Sequence, residues 1–211
     1  TRRITIGTAG IVLPLRDPLI VAKQATTVDQ LLGGRLILGL ATGDRPVEYP
    51  AFGVDFENRA ERFRDALALI RSVTEQDWPI HESKFYGKLT GQIDLVPKPV
   101  KSRIPTIVIG YAGQTTEWTA QNTDGIMSYI SNPMHIPEII ESWRAASPKD
   151  VFKPYAYGTL FELAGNDDDI LWIDDDRLVF AIATADGVYF RFKPQVLGFE
   201  TPVLLHQDAR P

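Results

Sequence analysis

At 211 residues with 44% hydrophobic content, the chain is long enough to bury one real core, and its composition is not that of a disordered, collagen-like or membrane-spanning protein. A formal net charge of -5 argues against a nucleic-acid or anionic-membrane surface, both of which need clustered Lys and Arg. Cysteine is absent, which removes disulfides, thiol nucleophiles and thiolate metal sites, and His81, His135 and His206 lie far apart without ligand spacing, so no metal site is expected.

The first residue is Thr1, not Met, and Arg2 to Thr8 reads as a strand already in progress, so further sequence is expected ahead of it. No apolar run approaches the length of a membrane span, and a cytoplasmic location is expected. After the strand come Thr8, Ala9 and Gly10. Small residues here make an ordinary loop, the commoner reading, or they let a flat ligand lie close to the backbone.

Asp17 can cap a helix whose first turn suits Pro18. Val21, Ala25, Val28 and Leu32 step along one face of it, and Gly33-Gly34 stops it. Leu36 to Leu40 follows as a buried strand, delivering the polar cluster Thr42, Gly43, Asp44 and Arg45 directly at its end. The next helix, from about Asn58 to Gln76, places Phe63, Leu67, Ile70 and Val73 or Thr74 on one face. Helix, strand, loop, helix is the rhythm of a parallel sheet, in which ligands sit at the carboxyl ends of the strands.

Arg59, Arg62 and Arg64 stand near the start of that helix, where cations oppose its dipole. Either they pair along a solvated face with Glu57, Glu61 and Asp65, the commoner case, or an Arg reaches a phosphate. Trp78 to Pro99 changes pattern and reads as an excursion carrying a small hairpin.

Ile104 to Gly110 is the clearest buried strand, followed by Tyr111-Ala112-Gly113-Gln114-Thr115-Thr116-Glu117-Trp118, a hydroxyl-rich helix start. Free N–H groups and Thr hydroxyls there can hold an anion, while a Thr that simply caps its own helix is the more frequent case. Gly125 to Ile130 reads as another strand, then comes a helix burying Ile136, Ile139, Ile140 and Trp143, and Tyr155 to Leu163 as a further strand. Five βα-type strands, beginning near Ile4, Leu36, Thr106, Ile126 and Tyr155, would wind into a parallel sheet or an arc of a barrel.

The segments Ile6 to Pro14, Val28 to Gly39, Glu48 to Val54 and Gly113 to Trp118, in this order, resemble the bacterial luciferase-like monooxygenases, and the resemblance covers about Thr1 to Leu163. It implies an α/β fold of the TIM-barrel (β/α)8 type, binding reduced FMN, or in some branches a deazaflavin, at the carboxyl ends of the strands. Carried over by position, it places Ala9 and Gly10 against the isoalloxazine face. It assigns Thr42, Gly43 and Asp44 to the loop that meets the flavin chain and phosphate, with Arg59 or Arg62 near the phosphate charge. Tyr111, Ala112 and Thr115 match positions that hold the phosphate and ribityl group. The cofactor would do the oxygen chemistry, and the protein would orient it and exclude water.

The chain departs from the family in two ways. The barrel's first two βα units, on the order of a quarter of an eight-fold barrel, are absent, and with them the positions of a catalytic acid or base, so no catalytic residue is assigned. From about Asn166 the sequence is divergent: Ile170 to Phe180 reads as strand and turn, and Asp186-Gly187 between apolar runs is a hairpin signal. The expected organisation is a partial barrel over 1–165 and a β-rich tail over 166–211.

Two functional classes follow. One is a flavin-dependent monooxygenase or oxidoreductase acting with O2 on a small organic substrate, fed by a partner flavin reductase and forming a homodimer, with neither nucleic acid nor membrane as partner. The other is a non-catalytic flavin-binding protein, similar to a shortened luciferase homologue, or an inactive fragment.

Overall fold

The structure, a computed structural model, describes residues 3–129, 135–158, 180–184 and 187–191. The chain divides into two units, residues 1–129 with 138–157 and residues 130–137 with 158–211.

The first unit is built on a sheet of order β1-β3-β6-β7-β8, with β2 also pairing β3. Its strands are β1 (Ile6–Gly7), β2 (Ile11–Val12), β3 (Leu36–Ala41), β6 (Thr106–Ile109), β7 (Gly125–Tyr129) and β8 (Tyr155–Gly158). The registers of β1 and β2 on β3, β3 on β6 and β6 on β7 are all parallel. Between Gly7, opposite Ile37, and Ile11, opposite Leu40, the first segment carries one residue more than β3, which makes Thr8 to Gly10 a bulge at the strand end. The backbones nearly touch here: a Cβ on Gly39 would lie 1.9 Å from the Thr8 carbonyl oxygen, so only glycine fits.

Helices α1 (Pro18–Leu32) and α2 (Arg59–Glu75) cover one face. Leu36, Leu38 and Leu40 turn toward them and are buried, whereas Ile37 and Ala41 turn away and are half-buried. Asp17 caps α1, accepting from the amides of Leu19 and Ile20, and Gly33 closes it in the left-handed conformation. On α2 the expected stripe is the observed one, with Phe63, Leu67, Ile70 and Val73 all buried.

On α1 the stripe is rotated from the expected one. Val28 is exposed and Leu32 half-buried, while Ala22, Thr26 and Asp29 join Val21 and Ala25 inside. Asp29 decides this. Its carboxylate accepts from the amides of Leu36 at 3.3 Å and Val100 at 2.9 Å, and a buried carboxylate with two such donors fixes the rotation of its helix.

The excursion contains the expected hairpin, β4 (Ile80–Ser83) against β5 (Gly87–Thr90), antiparallel. It is tied to α2 through Asp65, which accepts from the Ser83 hydroxyl at 2.5 Å and the Phe85 amide at 3.0 Å. Helices α3 (Thr116–Asn122) and α4 (Ile136–Ala146) accompany β7 and β8, and a second apolar cluster of Ala120, Ile126 and Trp143 sits among them. Of the four apolar residues expected on α4, Trp143 is fully buried and Ile136, Ile139 and Ile140 are half-buried.

In the second unit, β9 (Phe180–Thr184) and β10 (Gly187–Arg191) pair antiparallel, with Thr184 opposite Gly187 and Phe180 opposite Arg191, where the Asp186-Gly187 signal predicts a hairpin. The expected strand over Ile170 to Val179, the end of the Tyr155 to Leu163 strand, and Ile130 lie outside the described residues.

Candidate functional site at the carboxyl ends of the strands

Three loops leave the carboxyl ends of β1, β3 and β6, and contacts join them in series with the start of α2. Gly10 packs where an added Cβ would sit 3.7 Å from the Ala41 Cβ and 3.8 Å from Ile109, so the bulge after β1 adjoins the ends of β3 and β6. The loop after β3 continues through Thr42, which is buried, and Gly43, which lies against Val12.

Thr42 connects onward to α2. Its carbonyl accepts from the buried Tyr49 hydroxyl. The Tyr49 ring meets Phe56 edge-on, centroids 5.0 Å apart. Over Phe56 lies the Arg59 guanidinium, 3.7 Å from the ring centroid, with Nη1 donating to the Phe56 carbonyl at 2.9 Å. Burial pushes the Tyr49 phenol above its ordinary range, with Arg59 pulling the other way, so Tyr49 stays a neutral donor at physiological pH. Nothing in the residue spacing announces Tyr49, the fourth residue of the short 3-10 helix Pro46–Phe52.

The expected ion pairs along α2 are replaced by ring contacts. Arg59 lies on Phe56, and Arg62 lies over Phe85 and Tyr86 at 4.8 and 5.0 Å, because the hairpin tip reaches the start of α2. Glu61 pairs with Lys84 at 2.6 Å, and Asp65 is taken up by the hairpin. The electron-rich ring faces attract these cations and offset the positive end of the helix dipole.

The loop after β6 closes the series. Gly113 sits so close to α2 that a Cβ would fall 2.9 Å from the Ala60 Cβ. The Gln114 side-chain amide donates to the carbonyls of Ala60 and Ala112, each at 2.9 Å. Thr115 caps α3, accepting from the Trp118 amide at 3.1 Å, so capping is realised and its hydroxyl hydrogen is left to donate elsewhere.

The sequence-predicted residues therefore fall into groups. Gly10, Thr42, Gly43, Ala112 and Thr115 on the loops and Arg59 at the start of α2 stand on segments joined in series by contacts. Ala9 is exposed on the bulge, and Asp44 is exposed on the loop after β3. The Tyr111 ring packs against the second cluster of Ala120, Ile126 and Trp143, and its hydroxyl lies 3.4 Å from that of Tyr155. Gln114, absent from the predicted residues, is the link between the loop after β6 and α2. Its partner Ala60 is 54 residues away in sequence, a distance at which spacing carries no signal.

Among the described residues, no group of His, Cys, Asp and Glu could hold a metal ion, and no helix is long and apolar enough to cross a membrane.

A family model of luciferase-like monooxygenases matches residues 1–169. The chain belongs to that family. An uncharacterised protein of Mycobacterium tuberculosis is 30% identical over 140 residues, covering 66% of this chain and 47% of that protein. This luciferase-like chain thus spans about half the length of the relatives it matches. The oxygenating constituent of the 3,6-diketocamphane monooxygenase of Pseudomonas putida, solved with FMN, superposes with a TM-score of 0.63 at 19% identity, over 77% of this chain and 50% of that one. An F420-dependent secondary alcohol dehydrogenase, solved with an F420-acetone adduct, gives a TM-score of 0.59 at 23% identity, over 74% and 49%. The likeness shows the fold: the curled parallel sheet is an arc of a TIM barrel, incomplete in this chain, and the three loops and the start of α2 lie at the carboxyl ends of its strands.

Proposed function

We propose that the chain is the flavin-holding part of a luciferase-like monooxygenase or oxidoreductase that uses reduced FMN and O2 on a small organic substrate. The observation that supports it is the convergence of the bulge at Gly10, the Thr42–Asp44 loop, the start of α2 and the loop after β6 on one end of a parallel sheet. The residues fit a flavin. Ala9, Gly10 and Ala41 put small side chains and backbone at the bulge after β1 and the end of β3, where a planar ring can lie. Arg59 and the Thr115 hydroxyl supply a cation and a donor for a phosphate.

In this reading Ala9 and Gly10 meet the flat ring, Thr42, Gly43 and Asp44 meet the flavin chain, and Arg59, Ala112 and Thr115 hold its phosphate end, with the Tyr111 backbone beside them. Reduced flavin supplies electrons that activate oxygen, whereas a deazaflavin would supply a hydride. The chain's own residues bind, orient and keep water from that chemistry. FMN is favoured by the FMN-bound neighbour, and the F420-dependent neighbour keeps a deazaflavin as the alternative. A separate flavin reductase and a second copy of the chain are the proposed partners. We extend the proposal to the organisation of the chain, a barrel part over 1–165 and an appendage over 166–211, supported by the family match ending at residue 169.

Titration with FMN and with deazaflavin, followed by fluorescence and melting temperature, tests the reading. Saturable binding with a raised melting temperature is expected, and Arg59→Ala with Thr115→Ala should weaken it by about 1–3 kcal/mol per lost charged contact. Unchanged affinity in that double variant would overturn the phosphate assignment. Oxygen consumption with reduced flavin then separates an enzyme from a protein that only holds flavin.

A further inference from the structure

Gln114 touches both the loop after β6 and the first turn of α2. It is 9% exposed, and its amide nitrogen gives one hydrogen each to the carbonyls of Ala60 and Ala112. Because both partners are acceptors, the amide can face them only through its nitrogen, so its orientation is fixed. Its Oε1 is buried with no hydrogen-bond partner among the described residues. A buried acceptor in that state calls for a donor from a ligand or a water.

The loop itself is under conformational load. Ala112 has φ +52, in the left-handed region that a residue with a Cβ seldom adopts. Such a conformation persists where the surroundings hold it. On one flank the hold is Gln114. On the other, the Gly110 amide donates to the Met127 carbonyl at 2.7 Å, and Tyr111 is seated in the second cluster with its hydroxyl beside that of Tyr155. Burial, and after it the Tyr111 hydroxyl, pushes Tyr155 up to about 12, so the Tyr155 hydroxyl stays protonated at neutral pH.

We propose that Gln114 is a positioning residue for cofactor binding: by tying Ala112 to Ala60 it holds the loop after β6 on the helix end that carries Arg59, so that the two present one preorganised surface. This rests on the flavin reading above. Gln114 acts through the backbone it fixes. Loss of the tie leaves the loop free to sample conformations in which Ala112 relaxes.

The test uses the whole chain, as parent, as Gln114→Met, which keeps the length and loses both donors, and as Gln114→Met with Ala112→Gly. Two readouts are taken: amide hydrogen exchange without ligand, and titration with FMN and with deazaflavin. In Gln114→Met the Gln114 backbone amide, which donates to the Tyr111 carbonyl at 2.9 Å, should exchange faster, while α1 keeps its protection. Flavin affinity should fall about ten-fold, the scale of one lost buried hydrogen bond. Arg59→Ala should then weaken binding less in the Gln114→Met background than in the parent, since the two surfaces no longer act together. Relief of the Ala112 strain by glycine should leave exchange fast, because the tie is what holds the loop.

If the parent binds neither flavin, the flavin reading falls and the positioning role falls with it. If the parent binds and Gln114→Met binds as tightly, or its loop exchanges no faster, the positioning role alone is overturned. Should Gln114→Met fail to fold, Gln114→Asn, which keeps an amide but shortens its reach to Ala60, is judged by the same two readouts and the same outcomes.

Discussion

The layer made by α1 and α2 and the layer made by α3 and α4 pack beside the same sheet, but different forces hold them. The first buries Phe63, Leu67, Leu69 and Ile70 against Leu36, Leu38, Leu40 and Val108 in one continuous apolar cluster. The second has Ala120, Ile126 and Trp143 as its buried apolar residues, and polar tethers do the rest. The Trp143 indole donates to the Lys153 carbonyl at 3.0 Å. Lys153 in turn gives its ammonium to the carbonyls of Ala120 and Thr123 at 2.5 and 2.6 Å, and Arg71 donates to the Asn122 carbonyl at 2.6 Å. These cations satisfy the carbonyls that the end of α3 leaves open. Burial, then the nearby Arg103 and Arg71, lowers the Lys153 pKa, so the tether is made against a cost. Apolar area tolerates small shifts, whereas tethers of this kind depend on geometry.

The sharpest way to break the comparison is to remove one large side chain from each layer. Phe63→Ala and Trp143→Ala should each cost about 3–5 kcal/mol. Phe63→Ala should lower hydrogen-exchange protection throughout the sheet, and Trp143→Ala should open mainly α3, α4 and β8 while α1 and α2 stay protected. Equal loss everywhere in both variants would show that the two layers melt as one.

A smaller effect follows from the tyrosine in the second layer. The Tyr155 phenol is pushed from its ordinary 10.0 to about 12 in the folded chain, so above pH 10 the folded state retains a proton that the unfolded state has released. Stability from this group is fully present below pH 10 and is lost as pH rises through 12. Melting temperatures measured between pH 9 and 12 should fall less steeply in Tyr155→Phe than in the parent, and an identical slope would remove the group from the account. The smallest effect belongs to the surface of the first layer. The Lys84–Glu61 pair is largely exposed on both sides, and Lys84→Ala should change stability by only about 0.2–1 kcal/mol in urea titration.

Much of the architecture could be read in the sequence because it is written at short range. The stripe Phe63, Leu67, Ile70 and Val73 repeats at helical spacing, and whichever way the sheet is approached that face must be buried. Asp17 and Thr115 cap the helices that follow them within three residues. The loops at the carboxyl ends of β3 and β6 follow from the strands before them. The rotation of α1 was not legible, because it depends on amides at Leu36 and Val100, the latter 71 residues from Asp29. Nor was the fate of the cations on α2: charge patterning suggests i,i+4 pairs, and the hairpin tip supplies aromatic rings instead.

The sequence by itself determined the alternation of strands and helices, the family, and the loops that form the candidate site, since each rests on periodicity, capping or a contiguous motif. Only the tertiary structure decided which side chains serve those loops. It turned the Tyr111 ring away into the second cluster, placed Tyr49 beneath Thr42, and set Gln114 between Ala112 and Ala60. The physical reason is range: a buried polar group must find its partner wherever the packed chain brings one, and residue spacing says nothing about partners brought together from afar.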